Sequence, residues 1–317
     1  MDHPRKKIGL ALSGAAARSA FYLGFLEVLQ EQNIPIDIIG AQSGASVVAS
    51  AYACGTMSLF KQELLALDWK RLRALLSPSE KGGLYSLEAA ECFLREHITH
   101  GAQFHDLPVR LHFVAANLHT GRLVPLAMGD VAHAIRTTCS VPGLFDPVPW
   151  GNQLLVDGGL LSVLPARQVR EAGADVVIGV SVRSTKHVFL PSHIKLRCAY
   201  NTLKRVVRQS APVRGWYMLK HAVTPDGFSS HMDIGESEPR PGRMNWLQVL
   251  TRSLDIAIDV TQHESVAQDV VLCDYMIHEG EGKYGDSVNL SQTEQLYRAG
   301  RASALEHVPA IRKLIAE

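Results

Sequence analysis

Three short runs of the chain combine residues able to do chemistry with small residues that let the backbone turn sharply. In the run Gly40-Ala41-Gln42-Ser43-Gly44-Ala45 the reactive group is the Ser43 hydroxyl. A serine becomes an exposed nucleophile when a strand reverses into a helix at its position, which requires small residues two before and two after it. Ala41 and Ala45 fill those places, and Gly44 follows the serine directly. Ser46 is a second hydroxyl, but Val47, Val48 and Ala49 set it one turn into a helix, where it packs. The run Val156-Asp157-Gly158-Gly159 offers a carboxylate. An aspartate before two glycines is commonly just a turn; the same group can also take a proton from a serine hydroxyl. The third run is Ser13-Gly14-Ala15-Ala16-Ala17-Arg18-Ser19. Its small residues let a ligand approach the backbone, and helix-start amides there can stabilise an oxyanion. The plainer reading is a tight turn that binds nothing. Spacing alone leaves these alternatives open.

The elements around the three runs must position them. Ile8 to Ser13 reads as a buried strand, and from Ala17 onward Phe21, Phe25, Val28 and Leu29 recur at helical spacing. Asn33 and Pro35 end that helix. A strand over Ile36 to Ile39 and a helix over Ser43 to Cys54, closed by Gly55, follow. Two successive strand–turn–helix units imply a parallel sheet with helices on its faces. Further on, Glu88 to Ile98 reads as a helix and Val109 to Asn117 as a strand that Gly121 to Pro125 can pair with. Leu154 to Asp157 and Val176 to Val182 read as strands. A helix from about Asn245 to Ala267, a strand over Val270 to Ile277 and a helix from about Ser291 complete the chain.

Taken together and in this order, the three turns resemble the patatin-like phospholipases, the compact bacterial members above all. Lys7 to Leu29 is similar to that family's first strand, oxyanion loop and helix. Gly82-Gly83-Leu84-Tyr85-Ser86-Leu87 resembles its turn before the third helix. The stretch from Thr138-Cys139-Ser140-Val141-Pro142-Gly143 through Val148 resembles the approach to its catalytic aspartate strand. Asp157-Gly158-Gly159-Leu160, with Pro165 shortly after, matches its Asp-Gly-Gly turn. The resemblance is close over 7–182, loose over 245–317 and poor between them.

The resemblance implies a three-layer α/β/α fold with a mostly parallel central sheet and helices on both faces. One domain spanning 1–317 is expected, with a mainly helical, basic insertion at about 183–243. It also implies a serine lipid acyl hydrolase, of phospholipase A, lysophospholipase or esterase type, with a Ser–Asp dyad and no catalytic histidine. Ser43 would attack a lipid or other ester, and Asp157 would take its proton and return it to the leaving alcohol. Amides around Gly14, Ala15 and Ala16 would form the oxyanion hole, with Arg18 at the loop's basic position. No metal or organic cofactor is implied. The chain departs from the family's Gly-Gly-Gly-x-Arg/Lys-Gly loop at Ala15, Ala16 and Ser19, and both elbow glycines are alanine. Alanine costs about 1 kcal/mol wherever φ must be positive, and a displaced oxyanion donor costs roughly 100- to 1,000-fold in rate. Two outcomes therefore stand side by side. One is an active hydrolase, or an acyltransferase using the same acyl-enzyme; the other is a silent module that binds lipid or a protein partner.

A Ser–acid–His triad is the competing chemistry, and His263, His278 or His307 come after both Ser43 and Asp157 in the required order. None of them stands in a glycine-rich turn at a strand end, and Ser43 follows only the second strand, early for that fold.

Bulk properties set the outer limits. A net charge of +1 over 317 residues excludes a general polyanion binder, so no nucleic-acid partner is expected. The five cysteines are scattered without a Cys-x-x-Cys pair, which fits a reducing compartment. The apolar run after Arg5, Lys6 and Lys7 is broken by Ser13, Gly14 and Arg18, too soon for a secretory signal. No stretch approaches the ~20 apolar residues of a membrane span. A cytoplasmic protein is expected, its membrane contact peripheral. Residues 183–222 carry nine Lys and Arg and no Asp or Glu. Leu196, Tyr200, Leu203 and Val207 form a helical stripe among them. Such a segment can lie on an anionic membrane or pack on its own domain or a second subunit; the sequence leaves both open.

Overall fold

The first apolar run, Ile8 to Leu12, forms an interior strand of a sheet and is buried on both faces. The computed structural model describes residues 5–79, 81–182, 258, 260–279 and 290–317, all of them in the compact unit made of residues 1–188 and 257–317. The insertion expected at about 183–243, its basic stripe included, lies outside the described residues.

The N-terminal third runs β1 (Ile8–Leu12), α1 (Ala20–Glu31), β2 (Ile38–Ala41), α2 (Gly44–Ala53), α3 (Met57–Leu65) and α4 (Trp69–Ala74). A small hairpin, β3 (Ser77–Pro78) and β4 (Tyr85–Ser86), leads to α5 (Glu88–Leu94), β5 (Arg110–Asn117), β6 (Leu123–Leu126) and α6 (Val131–Thr138). Then come β7 (Val148–Trp150), β8 (Gln153–Asp157), α7 (Ala166–Glu171) and β9 (Val176–Ser181). A helix over 260–270, α8, precedes β10 (Tyr275–His278) and the long C-terminal α9 (Thr293–Ala316).

The sheet order is β10-β9-β1-β2-β5-β8-β7, with β6 also on β5. Strands β10, β9, β1, β2 and β5 are mutually parallel, whereas β6, β7 and β8 pair antiparallel. Side-chain alternation along β1 explains its continuous apolar character. Ile8, Leu10 and Leu12 face the larger core with Phe21, Phe25 and Leu29 of α1. Ala11 faces the other way, toward Leu164, Ala166 and Val169 at α7. Three layers result, as the sequence led one to expect.

The C-terminal helix belongs to this core. A Cβ on Gly24 of α1 would stand 2.1 Å from the Tyr297 carbonyl oxygen, and one on Gly300 of α9 would stand 1.9 Å from that of Phe21. Glycine on both helices lets their backbones touch. Arg301 and Lys61 then converge on Glu27, at 2.6 and 3.0 Å.

Two strand assignments shift. β2 begins at Ile38 rather than Ile36, because Asp37 turns its carboxylate onto the Ile8 amide at 2.8 Å. Val270 ends α8, and the following strand occupies only Tyr275–His278. A short apolar run has no period that separates strand from helix.

Candidate active site

The turn from β2 into α2 is a sharp elbow. Ser43 sits at φ 51°, ψ −131°, a region that non-glycine residues seldom enter and that surrounding bonds must hold. Its amide donates to Thr138 Oγ1 at 3.1 Å, and that hydroxyl donates to the Val114 carbonyl at 2.7 Å. On the other side, Ser46 donates to the Ser43 carbonyl from its amide at 2.9 Å and from its hydroxyl at 2.6 Å. Ser46 is therefore a fully buried brace. Ala41 and Ala45 are also fully buried, and Gly44 opens the helix.

The alanine substitutions meet no conformational penalty at this elbow. Among the described residues, the non-glycine residues with positive φ are Asn33, Ser43 and His100, so Ala15, Ala16, Ala41 and Ala45 keep ordinary backbone. The strain falls on Ser43 itself, and the cost anticipated for alanines in glycine conformations does not arise.

Asp157 ends β8 beside this elbow. Its amide donates to the Ser140 carbonyl at 2.9 Å, and its carboxylate Oδ1 accepts from the Gly159 amide at 2.7 Å. The Gln42 side-chain amide donates to the same oxygen. The Ser43 hydroxyl also favours the charged form of this carboxyl. Only 6% of Asp157 is exposed. Burial pushes its pKa up to about 6, against Gly159, Ser43 and Gln42, which pull it down. Gly158 is required here, since a Cβ would stand 2.4 Å from the Val114 carbonyl oxygen. Gln262 of α8 closes the turn by donating to the Gly159 carbonyl at 2.7 Å.

The glycine–alanine loop after β1 lies across from both. Gly14 donates its amide to the Val163 carbonyl at 3.1 Å, and Arg18 donates its amide to the Ala15 carbonyl at 2.9 Å. Both amides are thus engaged within the fold. The amides of Ala15 and Ala16, where the 3₁₀ turn over Ala16–Ser19 begins, have no acceptor within that turn because they precede its first bond. The Arg18 side chain is 2% exposed, and its charge acts on the buried Tyr22 hydroxyl.

Of the candidate triad histidines, His307 on α9 shares a 2.9 Å hydrogen bond with Tyr275 of β10, and His278 ends that edge strand. Among the described residues, the Asp157 carboxyl accepts from the Gly159 amide and the Gln42 side chain, and no histidine is among the groups that shift its pKa.

Sequence reasoning gave no role to Gln42, Thr138 or Cys139. Burial pushes the Cys139 thiol up to about 12, with Ser46 and Ser43 nearby pulling it the other way. Thr138 and Ser140 stand in a stretch that resembles a known family, yet no local pattern shows that they hold Ser43 and Asp157.

The model of the patatin-like phospholipase family matches residues 10–170. An uncharacterised NTE family protein of Mycobacterium bovis is 26% identical over 306 residues, covering 94% of this chain and 46% of its own length. The lysophospholipase NTE1 of Coccidioides immitis is 28% identical over 188 residues, covering 56% of this chain and 12% of its own. VipD of Legionella pneumophila is faintly similar in structure, with a TM-score of 0.41 and 13% identity over 97% of this chain and 67% of that one. The chain thus spans about half the length, or less, of these curated relatives. With the family model matched across all three turns, the chain belongs to the patatin-like phospholipase family.

Proposed function

We propose that this chain is a serine lipid acyl hydrolase in which Ser43 is the nucleophile and Asp157 its base. The observation that carries the reading is that Ser43, on a backbone held at φ 51°, stands beside a buried carboxyl and helps to hold it charged. The family match and the lysophospholipase name of one relative support a lipid ester as substrate.

The chemistry runs in two halves. Ser43 Oγ adds to the ester carbonyl carbon as its proton passes to Asp157, and the oxyanion faces the Ala15 and Ala16 amides. Collapse expels the alcohol, which takes the proton back from Asp157. Water then gives a proton to Asp157 and attacks the acyl-enzyme, releasing the fatty acid and restoring Ser43.

The test is hydrolysis of short-chain esters, lysophospholipids and diacylphospholipids, together with labelling by a fluorophosphonate. Ser43→Ala should abolish labelling, and Asp157→Asn should cut turnover by at least about 100-fold. Hydrolysis that persists in both variants removes the dyad. A folded wild-type protein that neither labels nor hydrolyses favours instead the silent module that binds lipid or a protein partner. Acyl transfer to an alcohol other than water would appear as transesterified product in the same assays.

A further inference from the structure

Gln42 is the residue immediately before the nucleophile, and its side chain is almost wholly enclosed, at 3% exposure. Its amide lies in a slot between two turns from distant parts of the chain. A Cβ on Gly14 would stand 1.6 Å from Gln42 Oε1, and one on Gly159 would stand 2.8 Å from Nε2. Both glycines therefore leave the space that this one side chain fills. At the end of the slot, Nε2 donates to Asp157 Oδ1, the oxygen that also accepts from the Gly159 amide.

We propose that Gln42 is the positioning residue of the base, holding the Asp157 carboxylate charged and turned toward Ser43. The inference rests on the reading of Asp157 as base. Two donors fix one oxygen and so set the plane of the carboxyl group. A donor that meets a carboxylate stabilises its charged form over its protonated form. The surroundings leave this task to neutral groups: β5 presents Ala115 opposite Asp157, the elbow presents Gln42 and Ser43, and the following turn presents Gly158 and Gly159. The titratable neighbour is Cys139 at the end of α6, whose thiol feels the Asp157 charge. No cation stands among the groups that set this carboxyl in the described residues. Gln42 thus does by hydrogen bonding part of what a histidine or arginine would do by charge.

The experiment follows the Asp157 carboxyl directly, by NMR titration of protein labelled with ¹³C at aspartate side chains, with Asp157→Asn identifying its signal. Gln42→Met keeps the volume and removes the donor. It should raise the Asp157 midpoint by about one pH unit and move the acid limb of kcat/KM upward by the same amount. Gly14→Ala should do likewise, because its Cβ displaces the Gln42 amide, and should add little in a Gln42→Met background. A space-filling role predicts a lower melting temperature with an unmoved midpoint, and that result in Gln42→Met overturns the proposal. Should Gln42→Met not fold, the Gly14→Ala midpoint decides in its place. The two readings fail separately. A midpoint that shifts in a protein with no esterase activity overturns the hydrolase and spares the role of Gln42. An active enzyme whose midpoint and acid limb stay put overturns Gln42 alone.

Discussion

At the scale of single residues, the Asp157 carboxyl is where folding and chemistry oppose each other. Burial lifts its pKa from 3.8 to about 6, so it is a much better proton acceptor than an exposed aspartate. A base must be ionised to act, so kcat/KM should climb from pH 5 to 7 with an acid limb near 6, measured on a soluble ester whose own ionisation is constant over that range. The same shift makes the ionised site a burden on stability. Below the unfolded value near 4 both states are protonated and the penalty is absent. It grows as pH rises toward 6 and is complete above, at about 3 kcal/mol for two pH units. Asp157→Asn should therefore be more stable than wild type at pH 8, by an amount on the order of 1–3 kcal/mol. That advantage should shrink toward zero near pH 4 in denaturant titrations. A variant less stable than wild type at every pH contradicts a buried carboxylate held against its solvation.

At the scale of elements, the elbow depends on a helix that lies far away in sequence. Thr138, at the end of α6, accepts from the Ser43 amide and donates to the Val114 carbonyl of β5. Thr138→Val keeps the shape and leaves both backbone groups without that partner, which costs about 1–3 kcal/mol. It should also slow fluorophosphonate labelling of Ser43, because the strained φ loses one of the bonds that hold it. Unchanged labelling would mean that α2 and Ser46 suffice. A second element-level device is the contact between α1 and α9. Gly300→Ala places a methyl group against the Phe21 carbonyl, and overpacking of this kind costs about 1–3 kcal/mol. Hydrogen exchange should then show α9 opening more readily, with the centre of the sheet little altered.

At the scale of the whole molecule, a lipid hydrolase has to reach a substrate held in an aggregate. Among the described residues no helix is long and apolar enough to cross a membrane. The nine cations of 183–222, with no acidic residue among them, make peripheral binding to anionic lipid the proposal to test. The protein should co-sediment with vesicles containing phosphatidylserine but not with pure phosphatidylcholine, and binding should fade as salt shortens the screening length from about 10 Å at 0.1 M. Binding that ignores both lipid charge and salt would point to packing of that segment on protein.

What the chain determined locally could be read from it directly. The double-sided burial of Ile8 to Leu12, the elbow at Ser43 and the turn at Asp157 are each built from adjacent residues, and small residues beside a reactive one need only local sterics to be recognised. Tertiary structure decided the rest, because it concerns groups that meet from far apart. It committed the Gly14 and Arg18 amides to Val163 and Ala15, and it turned β6 and β8 against the parallel strands. It also put a positive φ on Ser43 and on none of the substituted alanines. Residues 42 and 157 are 115 positions apart, and no spacing rule links a glutamine to an aspartate at that distance. Only the packing of three turns on one edge of the sheet brings the amide of Gln42 to the carboxylate beside Ser43.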